Sequence, residues 1–220
     1  MTREALTRQA AEALCGEVPR STGWKAGYWT LTRDGISLLV KDVRYSAAAF
    51  RYTLGRILLR REANAYRRLD GLPFVPRYFG RLDADAIVLE KVDAPPLTRF
   101  GGEDLDPEFY DRLEACVAGI HDRGVVHLDL RHRSNILVAP GGRPMIIDFA
   151  SALCLGTGRF ARKVLLPLFG EIDFSGVLKY RLRDIPGRAT EEDWRRHRRY
   201  RRLHLLWPFD RIYRNLRGKH

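Results

Sequence analysis

Side chains able to do chemistry crowd one stretch of this 220-residue chain: His127-Leu128-Asp129-Leu130-Arg131-His132-Arg133-Ser134-Asn135, followed by two apolar runs and Asp148-Phe149. Ile136 to Ala139 and Met145 to Ile147 read as the strands of a hairpin around Pro140-Gly141-Gly142-Arg143. Pairing Ile136 with Ile147 and Val138 with Met145 sets Asn135 opposite Asp148, so an amide and a carboxylate meet at the open end of a hydrophobic hairpin. Mg2+ takes oxygen ligands and keeps waters and substrate phosphates in its shell, so this pair suits a metal-nucleotide site. Asp129, six residues before Asn135, is placed to receive the proton of an attacking hydroxyl.

The elements that must position these groups can be read upstream. After a short helix in the first 20 residues, Tyr28 to Thr32, the turn Arg33-Asp34-Gly35 and Ile36 to Val43 predict a hairpin. Ser37, Leu39, Lys41 and Val43 share one face of its second strand, so Lys41 points where aliphatic side chains point. A helix from about Ser46 to Leu69 is closed by Gly71 and Pro73. Glu62 lies on its stripe of Leu58, Ala65 and Leu69, and a carboxylate there wants a cation. Two strands follow, near Tyr78 to Leu82 and Ala86 to Lys91, before Asp93-Ala94-Pro95-Pro96 breaks the pattern. Asp106 with Pro107 caps a helix whose buried stripe is Phe109, Leu113, Cys116 and Ile120 and which Gly124 ends.

Taken in order, Lys41, Glu62, Asp129, Asn135 and Asp148 resemble the protein-kinase set of phosphate-holding lysine, its glutamate partner, catalytic aspartate and two metal ligands. Ser21-Thr22-Gly23 is similar to the nucleotide loop of RIO kinases, and the loop from His127 to Leu137 resembles that of lipopolysaccharide-core (Kdo or heptose) kinases. The resemblance implies an α+β fold, two-lobed and protein-kinase-like, with an antiparallel-sheet N-lobe over residues 1–92, a short helical C-lobe over 93–189 and a basic aromatic tail over 190–220. It implies ATP and Mg2+ as cofactors. Ser21, Thr22, Gly23, Lys41 and Glu62 then contact or support the nucleotide, the hinge at Glu90 and Val92 receives adenine, and Asn135 and Asp148 bind the metal. Asp129 is the catalytic residue, and Arg131 supports it near the γ-phosphate. Leu128 replaces the usual arginine, which argues against control by an activation-loop phosphate, and Ala150 replaces the usual glycine. His127 reads as structural, because phosphoryl transfer needs alignment and charge neutralisation more than an imidazole base.

The formal net charge of +12 is unevenly spread: residues 1–149 hold 22 basic and 20 acidic side chains, and residues 150–220 hold 17 and 7. A near-neutral body with a basic appendage is expected, the appendage centred on Arg195 to Arg202 with Trp194, Tyr200, Leu203, Leu206 and Trp207 nearby. It is read as a solvated helix face or as a surface for an anionic membrane or RNA. Three cysteines without metal-ligand spacing, no apolar signal segment and no long apolar run suggest a cytoplasmic protein, peripheral at the inner membrane face if the tail meets lipid. The expected reaction is transfer of the γ-phosphoryl of ATP to a hydroxyl. A lipopolysaccharide-core sugar is the favoured acceptor; protein Ser/Thr, as in a RIO-like kinase, and a pseudokinase binding module are the alternatives.

Overall fold

The computed structural model describes residues 6–15, 22–102, 104–106, 108–156, 158 and 161–205. Helix α1 (Arg8–Ala13) starts at Thr7, whose hydroxyl accepts the Ala10 N–H. Strands β1 (Gly27–Arg33) and β2 (Ile36–Asp42) form the expected hairpin, with φ of 52° at Asp34 and 74° at Gly35. Positive φ at both central residues matches the turn to the twist of its strands. Helix α2 (Ala48–Phe50) runs through a π-helical turn (Arg51–Gly55) into α3 (Arg56–Arg68). Strands β3 (Tyr78–Arg81) and β4 (Ala86–Glu90) complete an antiparallel sheet of order β1-β2-β4-β3.

Both faces of this sheet are covered. Trp29, Leu31, Leu38, Val40, Ala86 and Val88 pack with Ala11 of α1 on one side. On the other, Val43, Ile87 and Leu89 join Leu59, Ala63, Ala65 and Tyr66 of α3 in a core that continues into the second lobe. Lys41 therefore leaves β2 toward α3, on the face predicted for it.

The second lobe begins with α4 (Phe109–Asp122), whose Phe109, Leu113, Cys116 and Ile120 are buried as the helical spacing requires. The Asp106 carboxylate accepts the Glu108 N–H ahead of it; Pro107 lies outside the described residues. Then come β5 (Val125–Val126), β6 (Ile136–Ala139), β7 (Arg143–Ile146), β8 (Leu153–Cys154), α5 (Leu166–Asp184) and α6 (Glu191–Leu205). β5 pairs with β8 and β6 with β7. The architecture is α+β and two-lobed, with a sheet-rich N-lobe and a short helical C-lobe.

The β6–β7 register differs from the expected one by a single residue. Ile136 faces Ile146, Val138 faces Pro144 and Ala139 faces Arg143. Gly141 and Gly142 both adopt positive φ, 75° and 65°, so three residues close the loop and Arg143 already belongs to the strand. Asn135 thus opposes Ile147, whose N–H it accepts at 2.9 Å, and not Asp148. Asp148 follows outside the ladder in the left-handed region, at φ 63°.

Helix α6 opens with a reciprocal cap: the Thr190 hydroxyl accepts the Asp193 N–H and donates to the Asp193 carboxylate. Tyr200 anchors it on Leu178 and Leu182 of α5, while Arg195, Arg198 and Arg199 are exposed. Arg201, Arg202 and Leu203 continue the helix; Leu206 and Trp207 lie outside the described residues. No described helix is long and apolar enough to cross a membrane.

Candidate active site

Strand β2 delivers Lys41 and helix α3 delivers Glu62, and the two meet as a buried ion pair, Nζ to Oε2 at 2.8 Å. The same Nζ lies 2.9 Å from Oδ1 of Asp148, and the Tyr28 ring, cross-strand from Lys41, sits 5.6 Å away. Burial disfavours the Lys41 charge, but Glu62, Tyr28 and Asp148 outweigh it and hold the ammonium well above the ordinary lysine value. Burial likewise pushes Asp148 up, yet Lys41 prevails and keeps its carboxyl below the usual carboxylate range. Burial raises the Glu62 carboxyl, with Lys41 opposing.

The loop after β5 is held from below by Asp173 of α5, which is buried. Its Oδ2 accepts the His127 N–H at 2.7 Å and its Oδ1 the Leu128 N–H at 2.8 Å, while His121 Nε2 lies 3.0 Å from Oδ2. These bonds fix Leu128 at φ 65°, a left-handed conformation costing a non-glycine residue about 1 kcal/mol or more. Gly176 lets α5 approach this closely, since a Cβ there would stand 3.0 Å from the Leu130 carbonyl. The Leu128 side chain packs with Val126, Leu155, Leu165 and Phe169 in an apolar cluster.

Asp129 follows, 8% exposed. Its Oδ2 accepts from Asn135 Nδ2 at 3.0 Å, and its Oδ1 lies 2.6 Å from His132 Nδ1. Asn135 Nδ2 also donates to the Asp129 carbonyl, so the amide nitrogen faces Asp129 and its oxygen faces away. His127 is fully buried, with Nε2 donating to the Ile147 carbonyl, Nδ1 accepting the Asp129 N–H and its ring 4.7 Å from that of Phe149. Phe149 also packs on Tyr66, whose hydroxyl accepts the Asp148 N–H. Arg133 ties the loop to the lobe by donating to Asp184 at 2.6 Å and to the Leu97 and Phe100 carbonyls.

The remaining expected residues are more dispersed. Thr22 donates its N–H to the Tyr45 carbonyl and its hydroxyl to the Lys25 carbonyl, and the Gly23 carbonyl accepts the Ala47 N–H, so this loop is tied to the entrance of α2. Ser21 lies outside the described residues. Glu90 directs its N–H to the Arg77 carbonyl and its carboxylate to the Arg77 N–H; Val92 lies in the irregular stretch 91–95. The Arg131 carbonyl accepts from the Tyr180 hydroxyl, on which the Arg131 charge also acts.

Sequence reading missed Asp173, His132 and the Tyr66 contact. Asp173 carried the same signal as Glu62, a carboxylate on a buried stripe, here with Val177 and Tyr180 of α5. No comparable signal marks His132. Among the described residues no cluster of three His, Cys, Asp or Glu could hold a metal by itself. The Asn135 amide oxygen, turned from Asp129, and the second oxygen of Asp148 are a donor set that fits Mg2+, which draws its other ligands from water and phosphates.

No protein-family model matches the chain, and no curated protein matches it. Among solved structures, the Rio2 kinase from Chaetomium thermophilum is similar, with a TM-score of 0.57 and 18% identity over 86% of this chain and 65% of that one. The Rio2 kinase-ADP/Mg2+-phosphoaspartate complex from the same organism gives a TM-score of 0.56 and 16% identity over 83% and 60%. The chain thus spans less than two thirds of the length of either structure. At this identity the likeness is one of fold, and that fold is protein-kinase-like.

Proposed function

We propose that the protein is a phosphotransferase that moves the γ-phosphoryl of Mg-bound ATP to an acceptor hydroxyl. One observation carries this reading: Lys41 Nζ stands between Glu62 and Asp148, at 2.8 and 2.9 Å, and so links the sheet, α3 and the loop after β7. In this reading Glu62 aims Lys41 at the α- and β-phosphates, and Thr22 and Gly23, with Ser21, border the nucleotide. Val92 and the carbonyl of Glu90 meet adenine. Asn135 and Asp148 hold Mg2+, which when bound neutralises phosphate charge. Asp129 orients the acceptor hydroxyl and takes its proton, and Arg131 lends positive charge nearby. Phosphoryl transfer depends on alignment and charge neutralisation, so these groups suffice.

We divide the chain as 1–92, 93–189 and 190–220. The Val138 N–H donates to the Pro95 carbonyl, which supports assigning the segment after 92 to the C-lobe. A lipopolysaccharide-core sugar is the favoured acceptor, supported by the exposed Arg195, Arg198 and Arg199 beside Trp194, which suit an anionic membrane surface. RNA is the other polyanion this face suits. A RIO-like protein Ser/Thr kinase is the second reading, favoured by the Thr22-Gly23 loop and its tether to residues 45–47. Asp129-dependent transfer of labelled phosphate to lipopolysaccharide precursors, but not to protein fractions, is the test between them. Nucleotide binding without any Asp129-dependent transfer contradicts both and leaves a pseudokinase module.

A further inference from the structure

We infer that His132 is a positioning residue for the Asp129 carboxylate, at the side from which the acceptor arrives; this rests on the phosphotransferase reading above. In the protein-kinase signature the metal-binding asparagine stands five residues after the catalytic aspartate. Here Asn135 stands six after Asp129. The longer loop folds back on itself: the His132 N–H donates to the Asp129 carbonyl at 3.2 Å, and the Asn135 N–H to the His132 carbonyl at 3.0 Å. That path returns the imidazole to Asp129 and leaves Nδ1 2.6 Å from Oδ1.

An ionised carboxylate only accepts, so Nδ1 carries the hydrogen of this bond. With Asn135 on Oδ2, both oxygens are engaged and the carboxylate plane is set. Each oxygen keeps a second lone pair for the acceptor hydroxyl. The His132 side chain is 45% exposed whereas that of Asp129 is 10% exposed, so the imidazole borders the open side of the carboxylate. In the transfer step the acceptor oxygen bonds to the γ-phosphorus, the bond to the bridging oxygen of ADP breaks, and the acceptor proton passes to Asp129. His132 holds the receiving carboxylate in line throughout and keeps its own proton.

The test measures Mg·ATP turnover of the full chain with water as acceptor, read as ADP release, together with 15N signals of the His132 ring. His132→Phe is expected to lower turnover about tenfold with little change in KM for ATP, and His132→Gln, which retains a donor, to recover most of it. Asp129→Ala is expected to shift the His132 ring signals. Wild-type turnover in a folded His132→Phe protein, beside loss of turnover in Asp129→Ala, overturns the role of His132 alone. Ring signals unmoved by Asp129→Ala overturn it too. A wild-type protein that binds nucleotide but lacks Asp129-dependent turnover overturns both this role and the reading beneath it.

Discussion

Lys41 and Asp148, 107 residues apart in the chain, approach to 2.9 Å and so join strand β2 to the loop after β7. Because the same ammonium pairs with Glu62, one cation couples strand β2, helix α3 and the left-handed turn at Asp148. Moving any of the three elements separates opposite charges in a buried place.

Removing that cation has a separable signature. Lys41→Met leaves Glu62 buried and unpaired and is expected to cost about 3 kcal/mol of stability. Lys41→Met/Glu62→Met, two apolar side chains facing each other, recovers most of the loss. Neither protein is expected to bind Mg·ATP well: with Lys41 as the proposed phosphate ligand, its loss removes a charge-assisted bond and should lower affinity about tenfold or more. Urea unfolding and nucleotide titration check the two effects; a double variant with wild-type affinity contradicts the assignment.

Asp173 supports the loop from a buried position on α5. Asp173→Ala strands the N–H groups of His127 and Leu128 and releases the left-handed conformation at Leu128, at an expected cost of about 3 kcal/mol. Turnover should fall with stability, and amide exchange at His127 and Leu128 should rise above that of α4. Unchanged exchange at those two amides counts against the support role.

The elements were legible where the pattern is local. Alternation and Asp34-Gly35 marked the first hairpin, and Glu62 betrayed itself as a carboxylate on an apolar stripe. The β6–β7 register was not legible, because three- and four-residue loops both fit Pro140 to Arg143 and only the backbone angles of Gly141 and Gly142 decide between them. Those angles set Asn135 against Ile147, so the site closes through the turn at Asp148 and its contact with Lys41, which no ladder arithmetic contains. His132 is a tertiary consequence of loop length and has no pattern of its own.

Acid should act through Asp85, in the loop between β3 and β4. It pairs with Arg51 at 2.5 Å and Arg56 at 2.6 Å and so pins the start of α3 to the sheet. Burial raises its carboxyl, but the bonds from Arg56 and Arg51 outweigh this and hold it well below the usual carboxylate range. A lowered folded-state value stabilises above the ordinary carboxylate value of about 4, and that stability is lost as pH falls toward the folded value. Asp85→Asn should therefore be less stable than wild type at pH 7, with the gap narrowing below about pH 4. Chemical unfolding at pH 7 and pH 3 checks it; a constant gap contradicts it.

The metal role proposed for Asp148 predicts a shifted cation requirement. Asp148→Asn is expected to raise the Mg2+ concentration for half-maximal turnover about tenfold or more, and excess chelator to abolish turnover in both proteins. Titration of Mg2+ at fixed ATP measures this. Identical Mg2+ curves exclude Asp148 as a ligand.

The most direct measurement is a single-turnover experiment with γ-labelled ATP and Mg2+, comparing wild type with Asp129→Ala after nucleotide binding has been measured for both. Equal binding with label transfer or release only in the wild type is the predicted result. Transfer at the same rate in Asp129→Ala, or no nucleotide binding by the wild-type chain, contradicts the account.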